Sequence, residues 1–331
     1  MLRFALFGAG RIGAMHAANI AANPGAELAW VFDVNKGAAE AVAARHGAKL
    51  APSIEAALAD KSVDAVLIAS STDTHVPLIT QSAKAGKAIL CEKPIDLDIN
   101  KVEQCAKDIA GSNVPVQIGF NRRYDATHRA VRDAVARGEI GALEVLIITS
   151  RDPELAPMPI LKSSGGIFRD MTIHDFDLAR FILGEELVEV SATGSVMIDP
   201  VVATLDDYDT VMVTMRAQSG ALVHINNSRR CLYGYDQRVE AFGSKGMVQS
   251  ENPMPNMLKR SSAGATQSLG PLHYFFIERY MQAYLDELNE FIDRVTRGLP
   301  PAVDFEDGRR ALVIADAAFE SIRTGKVVKV G

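Results

Sequence analysis

The sequence predicts an α/β protein, a doubly wound parallel sheet followed by an α+β domain built on a large, mainly antiparallel sheet. Three observations predict it. Over the first 120 residues short apolar runs alternate with helical segments, and strands alternating with helices imply right-handed crossovers and a parallel sheet. A glycine-rich turn, Gly8-Ala9-Gly10-Arg11-Ile12-Gly13, joins the first run to the first helix. Beyond Asn121 the runs lengthen and are β-branched, and one tight turn joins two of them directly, as in hairpins.

Taken in order, Leu2 to Phe7 is a short apolar strand ending at Gly8, and Ile12 to Ala22 is helical. Leu28 to Phe32 is the second strand, followed by an alanine-rich helix over Ala38 to His46. Val63 to Ala69 is the third. Pro77 then suits the first turn of a helix, where its missing N–H costs nothing. Ala88 to Cys91 and Val114 to Ile118 complete the parallel set. Asp125 to Arg137 forms an amphipathic helix stopped by Gly138. The strands after it are Leu143 to Ser150, Leu187 to Val196, Thr210 to Arg216 and Ala221 to Asn227, with Ser219-Gly220 turning between the last two. Helices near 275–297 and 306–324 close the chain. The expected domains are therefore 1–120 and 121–331.

Composition narrows the class. The 331 residues are 48% hydrophobic and 23% charged, enough for two ordinary cores. A net charge of -6 without a basic stripe gives no reason to expect a nucleic-acid partner. The apolar runs are too short to cross a bilayer, so no membrane association is expected. Cys91, Cys105 and Cys231 are scattered and form no CxxC pair, which argues against a disulfide framework and a structural zinc site. No histidine has the spacing of a metal ligand, and no metal is expected. Without a secretion signal before the first strand, the cytoplasm is the expected location.

The pattern Gly8, Gly10, Gly13 is G-x-G-x-x-G in its full context: strand before, helix after, and Asp33 standing 20 residues beyond Gly13. This is the Rossmann dinucleotide fingerprint. Gly8 permits the tight turn, Gly10 admits the pyrophosphate to the backbone, and Gly13 lets helix and strand pack closely. The helix start offers N–H groups and a positive dipole end to phosphates. Asp33 accepts hydrogen bonds from the adenosine ribose and repels a 2′-phosphate. Val34 and Asn35 follow it, and Lys36 is the one cation nearby. The cofactor expected is NAD.

Two further segments carry reactive groups. Cys91-Glu92-Lys93-Pro94 ends a strand at the carboxyl edge of the parallel sheet, where ligands of such sheets bind. Gly165 to Asp175 holds Asp170 and His174 four residues apart. If Asp170 opens a helix running to Leu183, the two share one face. A carboxylate beside an imidazole fixes its tautomer and raises its basicity, which suits proton removal from a hydroxyl. The plainer reading of such a pair is a surface ion pair or a cap. Asp177 continues the same face. His75, after Ser70-Ser71-Thr72-Asp73-Thr74, either starts a helix or approaches the cofactor.

With these residues in place the chain resembles the Gfo/Idh/MocA oxidoreductases, and within them the inositol 2-dehydrogenases. The resemblance covers essentially the whole chain: GAGRIG, Asp33, TDTH, CEKP, GFNRRYD, GGIFRDMTIHDFD, YGYDQR and the final GRRAL helix. CEKP followed by D-x-x-x-H after a Gly-Gly pair is the specific part. SRDP at 150–153 narrows it towards inositol enzymes. The resemblance implies NAD-dependent oxidation of a cyclic polyol, myo-inositol to 2-keto-myo-inositol. Alternatives are scyllo-inositol, a related sugar, or a non-catalytic nucleotide-binding regulator, against which the presence of both Lys93 and His174 speaks.

The resemblance also implies roles. Lys93 binds the reacting hydroxyl, and His174, oriented by Asp170, is the general base. Asn121, Arg122, Asp152 and Tyr235 contact substrate hydroxyls together with Lys93, Asp170 and His174, and Tyr233 competes for the Tyr235 role. The cofactor set comprises Gly8, Gly10, Arg11, Ile12, Gly13, Asp33, Ser70, Ser71, His75, Glu92 and Lys93. Pro94 follows a cis peptide bond, as in relatives. Asp, Asn, Arg and Tyr converging on one pocket suit a ring of hydroxyls better than an apolar alcohol. Finally, one face of the second sheet should stay uncovered, with alternating apolar residues such as Val211, Val213 and Met215 or their neighbours. Such a face usually meets another subunit, and the family suggests dimers or a homotetramer through it.

Overall fold

The computed structural model describes all 331 residues, and the chain divides into two compact units. The first comprises Met1–Asn121 and Gln282–Leu312, the second Arg122–Met281 and Val313–Gly331.

In the first unit the order is β1 (Leu2–Phe7), α1 (Arg11–Ala22), β2 (Ala26–Phe32), α2 (Lys36–His46), β3 (Lys49–Leu50), α3 (Ile54–Ala59), β4 (Ala65–Ile68), α4 (His75–Lys84), β5 (Ala88–Glu92), α5 (Ile99–Ile109) and β6 (Val116–Gly119). The six strands are all parallel, in spatial order β3-β2-β1-β4-β5-β6. Central strands of such a sheet are covered on both faces, which is why β4 reads as the unbroken apolar run AVLI and is wholly buried. Helix starts are set locally: Asn35 caps α2 at Ala38 N, Ser53 caps α3 at Ala56 N and Asp98 caps α5 at Asn100 N. Strand order reverses between β1 and β4, so their carboxyl ends flank the crevice where ligands of open α/β sheets sit.

The second unit contains α6 (Ala126–Ala136), β7 (Leu143–Arg151), α7 (Met158–Ser163), α8 (Ile167–Asp170), α9 (Ile173–Leu183), β8 (Leu187–Ser195), β9 (Thr210–Ala217), β10 (Leu222–Ser228), β11 (Asp236–Gly243), β12 (Gly246–Ser250), β13 (Arg260–Ser262) and β14 (Ala265–Ser268). The chain then runs through α10 (Phe276–Thr296) and α11 (Phe305–Thr324) to β15 (Val328–Lys329). Its main sheet has seven strands in the order β12-β11-β7-β10-β9-β8-β15. Only β7 and β10 pair in parallel; the other pairs are antiparallel. The β9–β10 hairpin turns at Gly220, whose φ of 97° lies where a side chain would be strained.

Three expectations need amendment. The second domain does not run unbroken from 121 to 331. Leu288, Phe291 and Ile292 of α10 follow helical spacing and are buried in the first core with Phe4, Leu6 and Leu28, so apolar periodicity draws 282–312 into the first unit. Val211, Val213 and Met215 are not on an open face: they lie in the second core with Phe168, Phe176 and Ile314. By strand alternation their neighbours take the outer face, where Met212 is 57% exposed. The helix expected from Asp170 to Leu183 is two helices. Asp170 closes α8, and the junction tightens to three-residue bonds such as Asp175 N to Thr172 O, 2.8 Å.

Candidate functional site

The first unit presents a glycine loop with a clear approach. A Cβ on Gly8, where φ is 101°, would lie 2.4 Å from the Ala69 carbonyl oxygen, and one on Gly13 only 1.9 Å from that of Gly8. Those two glycines are demanded by the close approach of β1, β4 and α1. Gly10 has no atom within 4 Å of its Cβ position, so its lack of a side chain leaves room for a ligand. It is also the N-cap of α1 and provides no side-chain acceptor, so the start of α1 turns its backbone N–H groups and positive dipole end towards an anion. The Asp33 carboxylate is held in place by Ala9 N at 2.6 Å and Asn35 N at 2.7 Å. A carboxylate has about four acceptor positions, so two remain for ribose hydroxyls. These residues fit a dinucleotide without a 2′-phosphate.

The second feature of this unit is the end of β5. Glu92 is its last residue, and the Lys93–Pro94 peptide that follows is cis. His75 braces this turn: its Nδ1 is 2.8 Å from the Pro94 carbonyl and its Nε2 is 3.2 Å from that of Ser70. Burial pushes the imidazole's pKa down, against the pull of these carbonyls. The His75 side chain thus ties the loop after β4 to the turn after β5. Ser70 Oγ lies 2.6 Å from Thr74 Oγ1, and Ser71 precedes the same short turn. Behind the strand, Glu92 Oε1 meets His16 Nε2 at 2.8 Å, with the Tyr284 ring edge-on to His16. Glu287 of α10 is fully buried, and both its oxygens lack a hydrogen-bond partner. Burial, then the Glu92 charge, raises its carboxyl well above the ordinary range. Asn121, the last residue before the chain leaves this unit, is buried with its amide nitrogen unpartnered.

The second unit holds Asp170 and His174. Asp170 accepts a hydrogen bond from Arg229 Nη1 at 3.0 Å, and His174 lies in the first turn of α9. The next residue, Asp175, is buried and anchors the start of that helix. It pairs with Arg122 Nη1 and accepts from Ser150 Oγ at 2.6 Å and Asn227 Nδ2 at 2.9 Å. Thr172 Oγ1 donates to Asn227 Oδ1 at 2.6 Å. Arg122 also reaches Ser150 Oγ at 2.9 Å and the Tyr235 hydroxyl at 3.3 Å. Its guanidinium is therefore committed to protein groups. Burial opposes its charge, but Asp175 together with Tyr280, Tyr235 and Asp152 outweighs it and its pKa is raised.

The two tyrosines separate cleanly. Tyr235 is 6% exposed and hydrogen-bonded to Arg122, whereas Tyr233 is 50% exposed and donates to Asp236 at 2.8 Å while Arg151 donates to it. Asp152 follows the end of β7. Burial pushes its carboxyl up to about 6; Arg229 and Arg122 pull it down, and Asp170 and Asp175 push it up. Arg123, in the short turn before α6, pairs bidentately with Asp177 of α9.

Sequence reading missed Arg229, Asp175, Asn227, His16 and Glu287. Each is polar yet almost wholly buried, and no local pattern distinguishes such a residue from a solvated one.

Two family models divide the chain between them. Residues 2–120 match the oxidoreductase family's NAD-binding Rossmann fold, and residues 128–249 match the GFO/IDH/MocA C-terminal domain. The chain belongs to the Gfo/Idh/MocA oxidoreductase family. Among relatives in this family, the inositol 2-dehydrogenase of Rhizobium meliloti (strain 1021) is 46% identical, and the match covers 99% of each chain. A crystal structure of a myo-inositol dehydrogenase from Corynebacterium glutamicum ATCC 13032 superposes with a TM-score of 0.97 at 47% identity, covering 100% of this chain and 99% of that one. A Lactobacillus casei scyllo-inositol dehydrogenase, solved with bound NAD(H) and scyllo-inositol, gives 0.93 at 28% identity over 100% and 99% of the two chains. The Rossmann fold of the first unit and the mixed sheet of the second are thus those of a Gfo/Idh/MocA enzyme. No helix is long and apolar enough to cross a membrane.

Proposed function

We propose that this oxidoreductase is an NAD-dependent inositol 2-dehydrogenase that converts myo-inositol to 2-keto-myo-inositol. The observation that carries the reading is the likeness, over 99% of each chain, to an inositol 2-dehydrogenase, with Lys93, Asp170 and His174 all present here. When bound, NAD supplies the hydride acceptor for the carbinol carbon. Lys93 holds the reacting hydroxyl and favours its alkoxide character. His174 takes the hydroxyl proton, in the tautomer that Asp170 fixes. Asp152 accepts from a neighbouring hydroxyl, and Asn121 donates its amide. Arg122 and Tyr235 serve the polyol as a preformed hydrogen-bonded pair, with the arginine charge offset by Asp175.

The test is NADH absorbance with NAD and, in turn, myo-inositol, scyllo-inositol and glucose. A rapid rise with myo-inositol, lost in Lys93→Ala, is expected. A rise with scyllo-inositol or glucose alone would replace the substrate, and no rise with any of them would overturn the reading.

Asp152 adds a pH dependence. Its carboxyl, raised to about 6, protonates as pH falls through that value and loses the charge that makes it a strong acceptor for the polyol hydroxyl. Polyol affinity of the NADH complex, read by NADH fluorescence in His174→Ala so that the imidazole does not contribute, should weaken about tenfold per pH unit below 6. Asp152→Asn should abolish that dependence. Flat affinity from pH 5 to 7 would remove Asp152 from the site.

The same reading places the enzyme in the cytoplasm, where its three buried cysteines stay reduced. It also assembles it as a homotetramer through the outer face of the second unit's sheet, where exposed Leu222, Phe242 and Met247 stand in register, with Met212 on the same side.

A further inference from the structure

One group near the acid–base pair has no role in the reading above. Arg229, immediately after β10, is 1% exposed, and three carboxylates act on it: Asp170 from α8, Asp152 from the end of β7, and Asp207 from the segment before β9. Only one of its side-chain nitrogens, Nη1, has a hydrogen-bond partner, Asp170 at 3.0 Å; Nε and Nη2 are buried without one. Its backbone N–H donates to Asp209 O at 2.9 Å, fixing where the side chain starts.

That arrangement is costly for stability. A buried donor left unsatisfied costs about 1–3 kcal/mol, more when charged, and an arginine kept only for packing would have its fork filled or be replaced by an apolar side chain. Asp207 shares the pattern: Oδ1 accepts from Ile167 N at 2.8 Å and Oδ2 is buried without a partner. A Cβ at Gly166 would stand 2.9 Å from that Oδ1, so the glycine pair before α8 is shaped around this cluster. What the cluster provides is a fixed cation against the carboxylate assigned to orient the base.

We propose that Arg229 is a positioning residue for the reaction: it holds Asp170 by its Nη1 bond, and its charge keeps Asp170 and Asp152 ionised and the imidazole of His174 unprotonated. The proposal rests on the assignment of His174 as base and Asp170 as its partner. The charged groups facing the cluster are Asp170, Asp152 and Asp207, with Arg122 and Asp175 acting on Asp152 from behind. The sign is the same for each titrating group. Removing the cation raises every neighbouring proton affinity, and removing one of the carboxylates lowers it.

The experiment is the pH profile of kcat/KM for myo-inositol with saturating NAD, in wild type, Arg229→Met, Arg229→Lys and Asp207→Asn. In Arg229→Met the acid limb should move up by about one pH unit or more, the effect of losing a nearby opposite charge. Arg229→Lys should bring the limb back while recovering only part of kcat, because the ammonium lacks the fork. Asp207→Asn, which keeps an acceptor for Ile167 N, should move the limb down. An NMR titration of the His174 ring in the same proteins, without substrate, should shift in the same directions. If Arg229→Met does not fold, the lysine and asparagine variants carry the test alone. Limbs and ring titration unchanged in all folded variants would overturn the proposal. A His174→Ala enzyme that turns over within a few-fold of wild type would instead overturn the base assignment, whatever Arg229 does.

Discussion

Replacing His174 by alanine is expected to lower polyol turnover by about 10²–10⁴-fold, the usual contribution of a positioned general base. Proton removal from a secondary alcohol at neutral pH has no easy alternative, because a free hydroxyl is a very weak acid and hydroxide is scarce. NADH binding should survive. The glycine loop and Asp33 lie in the first unit and depend on backbone approaches that His174 does not touch. Folding should survive as well, because Asp175 holds the first turn of α9 to Arg122, Ser150 and Asn227. Steady-state rates together with NADH fluorescence titration separate these effects. Turnover within a few-fold of wild type would remove His174 from the chemistry. A variant that lost cofactor binding in parallel would point to misfolding. Residual activity that climbs with pH, as hydroxide replaces the imidazole, is the further signature of a lost base.

The parallel half of the fold was legible because its signals are local. The strand AVLI is apolar from end to end since it is covered on both faces, and Gly8 and Gly13 stand where a side chain would strike backbone. The helix starts announced themselves less clearly, since Asn35, Ser53 and Asp98 are ordinary polar residues until their bonds are seen. In the second unit the hairpin at Ser219-Gly220 was readable from its turn. The β11–β12 pair was not: Ser244-Lys245 carries no strong turn pairing, and β11 (DQRVEAFG) mixes charge into a strand that is half interior. Asp170 and His174 could be singled out from their spacing. The break between α8 and α9 could not, because it is made by Thr172 reaching Asn227 across 55 residues of chain. Arg229 was invisible for the same reason. A buried cation is defined by the carboxylates around it, and these come from three separate segments.

The largest stability effect expected in the second unit is at Asp175, not at a residue the motifs singled out. Arg122 is buried, and its guanidinium rests on Asp175, Ser150 and Tyr235. Asp175→Ala leaves that cation without its hydrogen-bonded counter-charge and also removes one acceptor from Ser150, which keeps Gln237, and the shorter of two from Asn227. Breaking one side of a buried ion pair costs about 3–5 kcal/mol, against a total stability on the order of 5–15 kcal/mol. For a unit of this size that is roughly a 6–20 °C fall in Tm. Replacing both partners, Arg122→Met with Asp175→Leu, removes the uncompensated charge and should recover much of the loss, since apolar substitutes for buried pairs are often neutral or stabilising. The double variant separates stability from function. The double variant should be folded yet bind polyol poorly, because Arg122 no longer serves the polyol beside Tyr235 and the first turn of α9 keeps only the Thr172–Asn227 bond. Calorimetry and polyol titration of the single and double variants decide it. A single variant that melts with wild type would show that water or a neighbouring group neutralises Arg122. A double variant that binds polyol normally would show that the ion pair serves stability alone, and that α9 is placed by the packing of Phe176 and Ile182 in the second core.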